Sequence, residues 1–143
     1  YLSLSMDSIL ENHSPIMICQ IAAYTNNSTY SQYIMPYGDL NPGARRRNNV
    51  RVVTVGRYRM LKDTTTNKIL KTKSEISALM DFLDWLEKER GDASSVILIY
   101  HEPRRLSPIM LLEALKRDTR VTYKTLYYRV KKSSYDKCYY SIK

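Results

Sequence analysis

Hydrophobic and polar positions repeat at two different periods along this chain, and the change of period separates its elements. Leu2 and Leu4 alternate with Ser3 and Ser5 in a short opening strand, and polar, turn-like residues 8–14 follow. Residues 16–25 (IMICQIAAYT) and 29–35 (TYSQYIM) are rich in β-branched and aromatic side chains and are separated by Asn26, Asn27 and Ser28, which predicts a hairpin. Pro36, Gly38, Asn41, Pro42 and Gly43 then preset turns, so the sheet pattern stops there and Arg45, Arg46 and Arg47 fall on a loop. Residues 50–55 alternate weakly; their arginines have to point to solvent whether the segment is strand or irregular, and its type stays open.

Further along, the period lengthens to that of a helix. Thr72 and Glu75 make a T-x-x-E capping pattern, and Ile76, Leu79, Met80, Leu83 and Leu86 recur at helical spacing until Lys88 and Arg90 precede Gly91. Asp81, Asp84 and Glu87 fall on the wet side, and Phe82 and Trp85 read as packing residues rather than platforms for bases. The apolar run SVILIY at residues 95–100 predicts a strand covered on both faces. Ser107 is the expected N-cap of a second helix, with Pro108 at its first position and Ile109, Leu111, Leu112 and Leu115 as its buried face. Strands, helix, strand, helix in this order suggest a mixed sheet with helices against it.

Composition narrows the class. Of 143 residues, 43% are hydrophobic and 26% charged, with only four Gly and five Pro, so the chain is expected to fold as one domain with, at most, an appendage. The longest apolar run, Val96–Tyr100, is far short of the roughly 20 residues of a membrane span. The opening residues lack the pattern of a signal peptide, and two cysteines, Cys19 and Cys138, cannot form a disulfide framework or a zinc site, which reads as a reduced, intracellular protein.

Charge changes the picture more. The net +9 is segregated: residues 116–143 alone carry +7, and Arg45, Arg46, Arg47, Arg51, Arg57, Arg59 and Lys62 occur with no acid between them. Such clustering favours a polyanionic partner, since each cation that meets a phosphate can release a condensed counterion. The plainer alternative is a solvated face. In the tail, Tyr123, Tyr127, Tyr128, Tyr135, Tyr139 and Tyr140 are interleaved with basic residues, and Tyr123, Leu126, Tyr127 and Val130 fit one face of a helix.

The segments QIAAYT, QYIMPYGDLNPGARRRNNVRVVTVGRYRMLK, KILKTKSEISALMDFLDWLEKE and VILIYHEPRRLSPIMLLEALK resemble the Exuperantia family of insect germline mRNA-localisation factors, over about residues 16–116. The resemblance implies an α/β fold: a ribonuclease-H-like mixed sheet with flanking helices, similar to the DEDD 3′-5′ exonucleases. By this resemblance the domain would span residues 1–116, incomplete and inactive. Residues 117–143 would be a helical, basic tail in which YKTLYYRVKK is similar to the start of the family's SAM-like domain. The later half of the exonuclease-like domain is missing from this reading, which leaves open a splice variant, a degenerate copy or an incomplete gene model.

DEDD enzymes hold two metal ions between four carboxylates. The segment matching the first acid-x-acid motif is Ser5-Met6-Asp7, so one acid is replaced by Ser5. The second motif matches residues 101–106 (HEPRRL), where Leu106 stands at the position of the metal-binding aspartate. The third has no counterpart. The expected former active site is therefore Ser5, Asp7, His101 and Leu106, with no catalytic residue, no metal and no cofactor. His101 reads as structural rather than as a general base, His13 lies in a polar turn, and no nucleophile elbow or Gly-rich phosphate loop is present.

What the resemblance implies instead is a pseudonuclease that binds structured RNA, dimerises and acts in transcript localisation in cytoplasmic ribonucleoprotein particles, with no membrane and no small-molecule substrate. The candidate RNA-binding residues are Arg45, Arg46, Arg47, Arg51, Arg57, Arg59, Arg104, Arg105, Lys124, Arg129, Lys131 and Lys132. The competing readings are a protein-interaction scaffold and a residual metal-dependent exonuclease.

Overall fold

The computed structural model describes residues 2–9, 17–40, 42–100, 106–117 and 138–142. Strands β1 (Leu2–Ile9), β2 (Met17–Tyr24) and β3 (Thr29–Ile34) form an antiparallel meander, and β2 and β3 are the hairpin expected from their alternation. Thr25 closes its turn: Thr25 N–H donates to the Ser28 carbonyl at 2.8 Å, and Thr25 Oγ1 accepts from the backbone N–H of Ser28 at 3.0 Å. Strand β8 (Val96–Tyr100) returns parallel to β1, and β7 (Thr72–Lys73) lies parallel to β3. With β9 (Cys138–Ile142) antiparallel to β8, the main sheet has the order β7-β3-β2-β1-β8-β9.

A bulge in β2 divides the interior. Asp7 is opposite Gln20 but Ser8 is opposite Ile18, so Cys19 is the extra residue. The alternation is interrupted there, and the adjacent buried residues Ile18 and Cys19 enter different cores. Ile18, Ile21 and Ile34 face the helices, whereas Cys19 joins Leu40, Val50 and Leu61 behind the sheet.

Helix α2 (Glu75–Arg90) covers the first of these faces, together with α3 (Leu106–Arg117). Phe82 is fully buried, and such burial contributes about 1.5–3 kcal/mol. Tyr30 and Trp85 pack beside it, with ring centroids 5.4 and 6.1 Å away. Tyr30 Oη donates to the Ala78 carbonyl at 2.7 Å; burial first, and then the charge of Asp81, pushes its phenol up to about 12.

The helices are where they were expected, but their buried stripes are rotated. In α2 the stripe is Glu75, Ala78, Leu79, Phe82 and Leu86, while Met80 is 48% exposed; at 3.6 residues per turn Met80 lies about 140° from the centre of that stripe. In α3 it is Met110, Leu111, Ala114 and Leu115, and Ile109 is exposed. In both helices a fully buried Ala, Ala78 or Ala114, sits within the stripe beside the bulky residues and shifts its centre. The cap of α2 is Ser74, whose side chain accepts from Ser77 N–H at 3.2 Å, not Thr72, which pairs with Tyr33 of β3. Helix α3 starts at Leu106, ahead of the expected cap Ser107, and keeps Pro108 in the first turn, where no N–H is needed.

Two further differences concern strands. β8 is not covered on both faces, because Leu98 is buried against the helices but Ile97 is 41% exposed. The outer layer packs behind β2 and β3, through Met17, Cys19, Tyr33 and Met35, and leaves the back of β8 at Ile97 open. In the tail, the helical reading of residues 123–130 lies outside the described residues, and residues 138–142 are a strand of the main sheet.

The outer layer comprises α1 (Pro42–Asn48) and a second sheet of β4 (Val50–Val55), β5 (Tyr58–Asp63) and β6 (Ile69–Leu70) in the order β4-β5-β6. The arginine segment expected as a loop is thus a short helix. Pro42 supplies a preset φ at its first position, and Asn49, at φ 52°, ends it in the left-handed region. The open question at residues 50–55 resolves as a strand, joined to β5 by the two-residue turn Gly56-Arg57 in which Gly56 takes φ 62°.

Candidate nucleic-acid interface

Pairing sorts the side chains of the second sheet onto two faces. Val50, Val52, Leu61 and Leu70 point inward to the core behind the main sheet. On the other face Arg51 is opposite Lys62, Val53 opposite Met60 and Val55 opposite Tyr58. Arg46, Arg51 and Arg57 are exposed, and among the described residues their side chains make no ion pair or hydrogen bond.

Two of the predicted arginines are partly or wholly occupied. Arg45 Nε donates to the Leu40 carbonyl at 2.6 Å, which fixes the side chain on α1. Arg59 donates from its two terminal nitrogens to the carbonyls of Tyr37 and Gly38, at 2.5 and 3.0 Å, and lies 3.8 Å from Asp39. It braces the loop between β3 and α1, with both terminal nitrogens engaged on the loop carbonyls. The one acid at the end of β5, Asp63, is also engaged: its carboxylate accepts from the backbone N–H groups of Thr65 and Thr66 at 2.7 and 3.1 Å, which hold it below the usual aspartate range.

Acidic residues concentrate on the helical layer, where, among the described residues, four cations are matched to them and Lys88 of α2 is not. Lys73 pairs with Asp81, Arg90 with Glu87, Lys116 with Glu113 at 3.1 Å and Arg117 with the buried Glu75 at 2.9 Å. Glu89 accepts from Thr25 Oγ1 at 2.8 Å and Ser28 Oγ at 2.7 Å, which lowers its pKa, and Ser28 Oγ in turn accepts from Trp85 Nε1 at 3.0 Å. Beside this network lies a cavity of about 270 Å³ lined by Thr25, Glu89, Arg90 and Ile97, among others, and by none of the predicted site residues.

The expected former active site is described only in its backbone. Ser5 and Asp7 lie on β1, opposite Ala22 and Gln20 of β2, and the parallel register of Ser3 with Ile99 brings the end of β8 alongside them. Leu106 is the first residue of α3. His101, Arg104, Arg105, Lys124, Arg129, Lys131 and Lys132 lie outside the described residues, and Arg47 is on α1 with its side chain outside them. Among the described residues, no group of three or more His, Cys, Asp or Glu side chains could hold a metal ion, and no helix is long and apolar enough to cross a membrane.

Sequence reasoning missed the outward residues Tyr58 and Met60. The signal was present: Gly-x between two β-rich runs, VRVVTV and YRMLKD, is the pattern of a two-residue hairpin turn, and the strand period then assigns each residue its face.

Comparison with known proteins agrees with this architecture. The family model of the Exuperantia RNAse H-like domain matches residues 13–137, a stretch that runs through the outer layer, β8 and α3. Maternal protein exuperantia of Drosophila melanogaster is 56% identical over 104 residues, covering 70% of this chain and 20% of the relative. Maternal protein exuperantia-1 of Drosophila pseudoobscura pseudoobscura is 52% identical over 103 residues, 70% of this chain and 21% of the relative. The Drosophila virilis protein of the same name is 50% identical over 101 residues, 68% and 21%. The chain spans about a fifth of the length of these relatives. A mixed sheet in which an antiparallel meander is extended by a parallel strand, with helices on one face, is what that ribonuclease-H-like family builds, and the chain belongs to the Exuperantia RNAse H-like domain family.

Proposed function

We propose that this domain is an RNA-binding pseudonuclease, serving mRNA localisation in germline ribonucleoprotein particles of the cytoplasm as a dimer. The observation that carries the reading is the set of exposed cations on the outer layer, Arg46, Arg51 and Arg57, without anionic partners among the described residues, beside a helical layer in which Lys73, Arg90, Lys116 and Arg117 are paired and Lys88 is not. Unmatched arginines of this kind suit the phosphates of RNA. Arg45 extends the surface along α1, and Arg47, Arg104, Arg105, Lys124, Arg129, Lys131 and Lys132 are assigned to it by charge. Arg59 is left out, since the loop carbonyls hold it.

Catalysis is not part of the proposal. Two-metal hydrolysis needs carboxylates facing both ions; Ser5 and Leu106 stand where two are required, and Asp7 alone does not make a donor set that fits two metal ions. The residual-nuclease reading would be revived by Mn²⁺-dependent shortening of RNA from its 3′ end that Asp7→Asn abolishes.

Replacing Arg45, Arg46 and Arg47 together with Ala tests the main reading. Affinity for structured RNA should drop and the log-log salt slope should become shallower by about 2 to 3, with an unchanged circular dichroism spectrum. Unchanged binding would place the RNA elsewhere. The scaffold reading draws on the exposed Val55, Tyr58 and Ile69, and it predicts no saturable gel shift at physiological salt.

A further inference from the structure

The outward face of the second sheet combines three cross-strand pairs of different chemistry. At one end Arg51 is directly opposite Lys62, a like-charge pair that disfavours the folded sheet unless an anion lies between the two. Next come Val53 and Met60, half-buried, and at the turn end Val55 and Tyr58, which are 63% and 76% exposed. Successive pairs on one face of a strand are about 7 Å apart. The face therefore runs from cationic through apolar to aromatic in steps comparable to a nucleotide, and none of its six residues is acidic.

We infer that this face holds an unpaired stretch of RNA, with a base stacked on Tyr58, neighbouring bases or riboses against Val53 and Met60, and a phosphate between Arg51 and Lys62. The assignment rests on the RNA-binding reading above and specifies which form of RNA the site takes. A duplex keeps its base faces stacked inside and cannot offer one to Tyr58; a loop or single strand can. The charge favours RNA over an apolar protein partner, because such a partner would bury Arg51 and Lys62 side by side without an anion.

Fluorescence anisotropy of a labelled single strand, and of a duplex of the same length, with the full 143-residue chain tests it. Tyr58→Ala should weaken single-strand binding about tenfold, within the range of one lost stacking contact, while Tyr58→Phe keeps it and duplex affinity is unchanged. If Tyr58→Ala leaves single-strand affinity unchanged while the Arg45, Arg46 and Arg47 replacement lowers it, the stacking face is wrong and the RNA reading stands. If neither changes binding, the RNA lies elsewhere and the outer-layer site falls together with the inference; if no saturable binding is seen at all, the RNA reading itself fails. Conversion of a dimer to a monomer by Tyr58→Ala, with RNA affinity intact, would assign the face to a protein contact and overturn the inference.

Discussion

The two layers packed on the main sheet treat charge in opposite ways. On the helical side, Lys73, Arg90, Lys116 and Arg117 each meet a carboxylate, and Glu89 is held by two hydroxyls of the hairpin turn. On the outer side, Arg59 alone among the exposed arginines is tied to both backbone and acid, whereas Arg46, Arg51 and Arg57 face solvent. Apolar content differs as well: Phe82, Leu79 and Leu86 close the helical core, while the second sheet buries only its inner face. One layer supplies the stability of the domain, and the other is free to present cations, which a densely paired layer could not do.

This contrast is sharpened most by a core deletion. Phe82→Ala should cost about 3–5 kcal/mol in urea unfolding, because the cavity opens beneath Tyr30 and Trp85. A loss below about 1 kcal/mol would show that the helical layer does not carry the fold.

Arg59→Ala comes next. It removes the brace on the carbonyls of Tyr37 and Gly38, and a loss of about 1 kcal/mol in stability is expected, with less effect on RNA affinity than Arg51→Ala. The reverse pattern, stability intact and RNA binding reduced, would make Arg59 part of the interface.

The smallest effect concerns Glu89. Its pKa is lowered from the ordinary 4.5 by Ser28 first and then Thr25, so its contribution to stability is present above that value and is lost as the pH falls through the lower, folded-state pKa. Glu89→Gln should therefore flatten the acid limb of the stability curve below pH 4.5, read as a smaller change in unfolding midpoint between neutral and acid buffer. An unaltered acid limb would mean that the hairpin turn and α2 are not coupled through this carboxylate.

Much of the helical side was legible from the order of residues. The hairpin β2–β3 shows strand alternation on both sides of Asn26, Asn27 and Ser28, and α2 shows a helical period that ends at Gly91. What periodicity could not supply was the rotation of the helix faces, since Ala78 and Ala114 lie within the buried stripes without adding hydrophobic bulk. Nor could it show that Thr72 is drawn into pairing with β3, a long-range contact that displaces the cap to Ser74.

The outer layer was harder to read. Helix α1 has three arginines in seven residues and no apolar period, so its helical state depends on Pro42 at its start and on Asn49 at its end. The concentration of cations was visible in the sequence, but which of them are free was not. The engagement of Arg59 with carbonyls some twenty residues earlier is tertiary, and no local pattern encodes it. The family resemblance carried the ribonuclease-H-like fold to the right place, and the face composed of Arg51, Val53, Tyr58 and Lys62 follows from the register of β4 with β5, which the Gly56-Arg57 turn sets.

The central claim, that the outer layer holds phosphates through unmatched cations, is tested most directly by RNA affinity measured across a salt series. With about six phosphate contacts the plot of log affinity against log salt should fall with a slope of about −4 to −5. A slope near zero would contradict it.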